Sequence, residues 1–258
     1  NGNGTSVMSG LYSEGSITAT GDSIGGLIGV SWHPITNSFS AATVRGVNNV
    51  GGLVGLFSDD AADPETITNS YAIGDVYGSG SDVGGLVGQA DSMVSISTSW
   101  ASGDVRGNNN VGGLVGYSFA DISDSFSHSS AHTPTGGLGN VGGLIGYSDG
   151  ATLIRNYATG NVTNASGYGT SRAGGLVGRC ENTSVTDSYA TGVVFANRDS
   201  AGGLIGTAAG ASSVLNSYAS GSVFGESMVG GLIGNTANTS SVIRSYAIGS
   251  VAGNDDVG

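Results

Sequence analysis

The sequence predicts an all-β fold: a three-sided parallel β-solenoid of about eight coils, with about 29 residues in each. Three observations predict it. First, a Gly-Gly-Leu-aliphatic-Gly stretch recurs, with its leucine at Leu27, Leu53, Leu86, Leu114, Leu144, Leu176, Leu204 and Leu232. From Leu27 to Leu232 is 205 residues in seven steps. Second, an aromatic recurs with the same period inside a Ser-aromatic-Ala-x-Gly-x-Val stretch, as in Ser70-Tyr71-Ala72-Ile73-Gly74-Asp75-Val76, with weaker copies centred on Tyr12, Phe39 and Phe126. Third, the apolar runs are only about five residues long, are parted by Gly, Asn and Ser, and lack helical period.

Each coil then contains three runs. The first is the Gly-Gly-Leu stretch. Its Leu and the following Ile or Val would point to opposite faces of a straight strand, so one of them is expected at a bend or under a loop. The second carries an aliphatic four residues before the aromatic: Met8, Ile35, Ile67, Ile96, Ile122, Leu153, Val185, Val214 and Val242. The third places Ala, Gly and Val at alternate positions, hence on one face, with small polar residues between them. Stacked parallel strands about 4.8 Å apart would make a rod on the order of 40 Å long.

Between the second run and the aromatic stands a column of Ser38, Ser70, Ser99, Ser125, Ser188, Ser217 and Ser245, with Asn156 substituting. A hydroxyl there is expected to bond the backbone at a corner. The aromatics are expected to stack as a structural ladder. Glycine, 49 of 258 residues, is expected where a Cβ would clash or φ is positive. The whole of 1–258 reads as one repeat domain.

The charge is sparse and acidic, with a net charge of −12 and seven basic residues, all arginines standing singly. No basic stripe exists, so nucleic acid and anionic membrane are not expected partners. No apolar run approaches the roughly 20 residues of a membrane span. Cys180 stands alone. The chain opens and closes inside a coil without a polar cap. It is therefore expected to belong to a longer array or to associate end to end, since open strand edges invite pairing.

The Gly-Leu-Ile/Val-Gly signature, followed by Ser-Tyr-Ala-x-Gly-x-Val, resembles the GLUG-motif repeats of large secreted and surface-attached bacterial proteins. All eight copies match at Gly-Leu-aliphatic-Gly. The resemblance implies a right-handed β-helical stalk or adhesive segment at the cell exterior, and it transfers no catalytic residue.

The search for chemistry returns little. Asp75 and Asp104 occupy equivalent places in successive coils and read as a solvent-facing column rather than a catalytic pair. His128 and His132 straddle a strand and its loop, and His33 is distant in sequence, so no zinc site is expected. Asp59, Asp60 and Asp63 share a loop that offers oxygen ligands for Ca²⁺; otherwise no cofactor is expected. Tyr117 and Tyr147 follow the Gly-Leu-aliphatic-Gly of adjacent coils. They form either an aromatic platform for a sugar ring or, the preferred reading, a shield over the first run. No serine has an oriented histidine and acid, and no Gly-rich loop opens a helix to hold phosphate.

The leading expectation is a non-catalytic extracellular β-solenoid serving as stalk, adhesive segment or filament unit, with a glycan or protein receptor as further partner. The first alternative is ice binding through the outward column Ser16, Thr43, Asp75, Asp104, Ser130, Asn161, Val193, Ser222 and Ser250. The second is a polysaccharide-active enzyme with its site beside the 56–66 or 163–172 loops.

Overall fold

The structure, a computed structural model, describes residues 6–59, 64–134, 139–166, 171–238 and 240–258. Among the described residues there is no helix. The strands form five sheets, three of nine strands and two of eight, in which each strand pairs with its equivalent one coil away. Every pairing is parallel, as in Ile67 against Ile96, Tyr71 against Trp100 and Val83 against Val111. This is a β-solenoid with the predicted period.

Three runs become five sheets because the first bends at its Gly-Leu pair and the third divides at its glycine: Ala101 enters one interior and Val105 another instead of sharing a face, and a further sharp corner joins the second run to the third. In one coil the strands are Val76–Gly78 (flank sheet), Ser81–Gly84 (valine sheet), Val87–Ala90 (exit sheet), Val94–Ser97 (aliphatic sheet) and Trp100–Ala101 (aromatic sheet). The first run bends at its Gly-Leu pair, between the valine and exit sheets. There the N–H groups of both Leu53 and Val54 donate to the Leu86 carbonyl, at 2.9 and 3.0 Å. A shared acceptor means that the chain turns between them. Both side chains therefore enter the interior instead of pointing to opposite faces, and both are fully buried.

The second turn, between the aliphatic and aromatic sheets, is built by two residues. The first is held at positive φ: Asn37, Asn69, Thr98, Asp124, Arg155, Asp187, Asn216 and Arg244, all between 46° and 55°. Asn and Asp tolerate this left-handed conformation better than other residues that carry a Cβ. The second is the serine column, buried as expected of a corner hydroxyl. Ser99 Oγ accepts the Ser70 N–H at 3.2 Å and donates to the Ser97 carbonyl at 2.8 Å. The same pair of bonds recurs at Ser70, Ser188 and Ser217. Asn156 takes over the acceptor role, its Oδ1 receiving the Ser125 N–H at 3.0 Å. Each hydroxyl thus joins one coil to the next.

Two separate interiors result. The larger lies among the exit, aliphatic and aromatic sheets and holds Leu53, Val54, Phe57, Ile67 and Ala72 with their equivalents. The smaller lies between the flank and valine sheets and holds Val44, Val50, Val76, Val83 and their equivalents. The motif glycines keep the backbones between these interiors in contact. A Cβ on Gly85 would run into the Gly113 carbonyl, and one on Gly88 into the backbone of Asn49 and Val50. Close approach, not φ, fixes glycine there, since neither has a positive φ.

Outside the larger interior the aromatics form the expected ladder: Tyr12, Phe39, Tyr71, Trp100, Phe126, Tyr157, Tyr189, Tyr218 and Tyr246. Successive centroids lie 4.6–5.8 Å apart and planes agree within 19°. Ring faces are spent on neighbouring rings, so the ladder shows solvent its edges.

Candidate functional site

The positions that repeat are committed to the interior, the corners and the ladder. Chemistry that could act on a ligand is confined to outward residues, which vary from coil to coil. Two outward surfaces carry it.

The first contains Tyr117 and Tyr147, on the exit sheet. They pair in register and stack, with centroids 4.9 Å apart and planes 15° from parallel. The Arg179 guanidinium lies 5.0 Å from the Tyr147 ring centre, and Phe119 tilts against Tyr117 at 4.6 Å. The two rings are thus turned on each other and on their neighbours, and the pair presents mainly edges outward. Tyr147 donates its hydroxyl to Glu181 at 2.9 Å, and Arg179 donates to the same carboxylate at 2.7 Å. Burial, with the bond to Glu181, pushes the Tyr147 phenol well above its ordinary value.

Beside this pair runs a buried polar chain along the valine sheet. Asn110 donates to Asp82 at 2.8 Å, Asn140 donates to Asn110 at 2.8 Å, and Arg172 donates to Asn140 at 3.2 Å. The acid and the base stand at opposite ends of an amide relay. Burial raises the Asp82 carboxyl above its ordinary value, against the bond from Asn110.

The second surface is the outward face of the flank sheet. One of its columns reads Thr18, Arg45, Tyr77, Arg106, His132, Thr163, Phe195, Phe224 and Ala252. The Arg45 guanidinium sits 3.9 Å above the Tyr77 ring centre, and Arg106 approaches the same centre at 6.0 Å. The Tyr77 hydroxyl donates to Asp75 Oδ2 at 3.2 Å, and Asp75 Oδ1 accepts the Asp104 N–H at 2.9 Å. Arg106 donates to Asp104 Oδ2 at 2.9 Å, while His132 Nε2 lies 3.9 Å from Asp104 Oδ1. Burial holds the His132 imidazole below its ordinary value, although Asp104 pulls the other way. It is therefore mainly uncharged at neutral pH.

These groups border a cavity of about 320 Å³ lined by Tyr77, Arg106, Asn108, His132, Pro134 and Thr163, with glycine backbone between them. That volume lies in the range of small-molecule sites. Further along the same column, Phe195 and Phe224 are 44% and 40% exposed and border a second, open cavity of about 380 Å³. Guanidinium, carboxylate, imidazole, amide and aromatic carbon thus share one face.

Asp75 and Asp104 do stand in adjacent coils, but each is held by hydrogen bonds to its neighbours. Their presence also breaks the hydroxyl-and-methyl regularity that an ice-binding column needs. His128 and His132 are not brought together: His128 lies beside the ladder, 5.0 Å from the Phe126 ring and 2.7 Å from Thr159 Oγ1. Asp60 and Asp63 lie outside the described residues, as do 167–170 of the second loop. Among the described residues no three His, Cys, Asp or Glu side chains gather as a metal-binding group. Cys180 is fully buried, and burial pushes its thiol up to about 11.

The flank column escaped sequence reasoning because repetition reveals only what repeats. The signal available was positional. Each of these residues immediately follows the inward aliphatic of the third run.

Comparison with known proteins adds two findings. The profile described as the GLUG motif matches residues 169–194 and 198–223. Halomucin of Haloquadratum walsbyi (strain DSM 16790 / HBSQ001) is 36% identical over 168 residues, covering 58% of this chain. The chain spans 2% of that protein's length. No solved structure matches the chain significantly. Two stretches of the chain thus carry the GLUG motif, and the findings fit a structural surface protein.

Proposed function

We propose that this chain is a non-catalytic, extracellular segment of a surface protein, a stalk or adhesive rod whose length is set by its number of coils. The observation that carries this reading is the unbroken parallel register of all five sheets from one end of the rod to the other. The relation to halomucin and the GLUG motifs support a place outside the cell. Most charged side chains lie on the outer faces, several of them tied into ion pairs and hydrogen bonds, and the interiors are mainly apolar, as a spacer requires.

Electron microscopy across a concentration series tests the reading. Unbranched rods of uniform width, with a length that follows the number of coils at every concentration, are expected. A hydrolase or lyase activity abolished by a point substitution within the chain would overturn it.

A further inference from the structure

We propose that the outward flank of the third-run strands binds a neutral polysaccharide lying along the rod axis. The cavity at Tyr77, Arg106 and His132 is its hydrogen-bonding subsite, and Phe195 with Phe224 is its stacking platform. The proposal rests on the adhesive reading above and names the chemistry of its ligand.

Charge selects against ions. Asp104 lies against Arg106 at 2.9 Å, and Asp75 accepts the neighbouring backbone N–H. At the Asp104–Arg106 pair anion and cation alike therefore meet a compensating charge. A polyanion is disfavoured further by the net charge of −12. What the cavity offers instead is donors and acceptors side by side. A guanidinium, an amide, threonine hydroxyls and an uncharged imidazole suit the paired hydroxyls of a sugar ring, each of which both donates and accepts. Pro134 and the edge of Tyr77 supply apolar wall for the ring's C–H groups.

Geometry sets the direction. Arg106, His132, Thr163, Phe195 and Phe224 are register partners in successive coils. Equivalent residues are thus one strand spacing apart, about 4.8 Å, close to the advance of one residue in an extended glycan. The two phenylalanines lie on the same line, exposed where a solvated strand face would ordinarily be polar. Exposed aromatics of this kind mark binding surfaces.

The test is titration of the purified chain, followed by NMR, with cellohexaose, mannohexaose and laminarihexaose, and with polygalacturonate as the anionic counter-probe. At least one neutral hexasaccharide is expected to bind in the millimolar range or tighter. The paired variants Phe195→Ala with Phe224→Ala, and Arg106→Gln with Asn108→Ala, are each expected to weaken it roughly tenfold. Tyr147→Phe, on another face, leaves it unchanged. Binding of polygalacturonate alone, no neutral sugar bound at millimolar concentration, or binding indifferent to both paired variants would each overturn the proposal. Intact rods in the microscope together with such a result would sink the glycan site and leave the structural reading standing.

Discussion

Thr98 occupies a corner that suits asparagine. It holds φ at 46°, and a β-branched side chain in that region is strained by about 1–3 kcal/mol. Thr98→Asn should therefore stabilise the fold by about 1 kcal/mol, read as a rise in the urea midpoint. The neighbouring hydroxyl works in the opposite direction. Ser99→Ala leaves the Ser70 N–H buried and unpaired, and leaves the Ser97 carbonyl with the Asn69 N–H as its remaining donor; it should cost about 1–3 kcal/mol. Asp82 gives a pH-dependent case. Its carboxyl is raised above 3.8 by burial, so between the unfolded and folded values the folded state holds its proton more firmly. The stability this contributes is present at low pH and is lost as pH rises through the folded value. Asp82→Asn should accordingly raise Tm at neutral pH, and the gap should close on acidification. A Tm gap that widens on acidification would contradict this account.

At the scale of elements, the ladder and the glycine contacts make opposite demands. Trp100 stacks at 4.6 Å on Tyr71 and at 5.8 Å on Phe126. Trp100→Leu keeps apolar area but removes two ring contacts, each worth about 0.5–1.5 kcal/mol. The loss should appear in thermal unfolding. Gly113→Ala, by contrast, drives a methyl into the Gly143 carbonyl and the Ser127 hydroxyl. Backbone cannot yield as a side chain does, so this variant should lose about 3 kcal/mol. What the sequence made legible follows the same division. The leucine, aliphatic, serine and aromatic columns repeat, so their roles could be read from spacing. The bend at Leu53 and Val54 was legible only as an ambiguity, because a strand face cannot show where a chain turns. The positive-φ column at Asn37, Asn69 and Thr98 went unread because its residue types change to Arg155 and Arg244 later in the chain. The flank residues Tyr77, Arg106, His132, Phe195 and Phe224 face solvent, where packing imposes no repeat.

For the whole molecule, nearly all cohesion is between neighbouring coils, which makes the protein quasi-one-dimensional. Each coil buries its leucine, aliphatic and alanine against those above and below, and each hydrogen-bonds to its neighbours through every sheet. Stability should then scale with coil number, and the function proposed, a rod of defined length, follows from that additivity. Excising one coil tests this most directly. Removing residues 86–113 joins Gly85 to Leu114, which reproduces the native Gly-Leu bend. Small-angle X-ray scattering and thermal unfolding would be measured on the shortened chain. The account predicts a folded β protein, unfolding cooperatively at somewhat lower temperature, with its long dimension reduced by one strand spacing, about 4.8 Å. A shortened chain that fails to fold, or that folds with its long dimension unchanged, would contradict it.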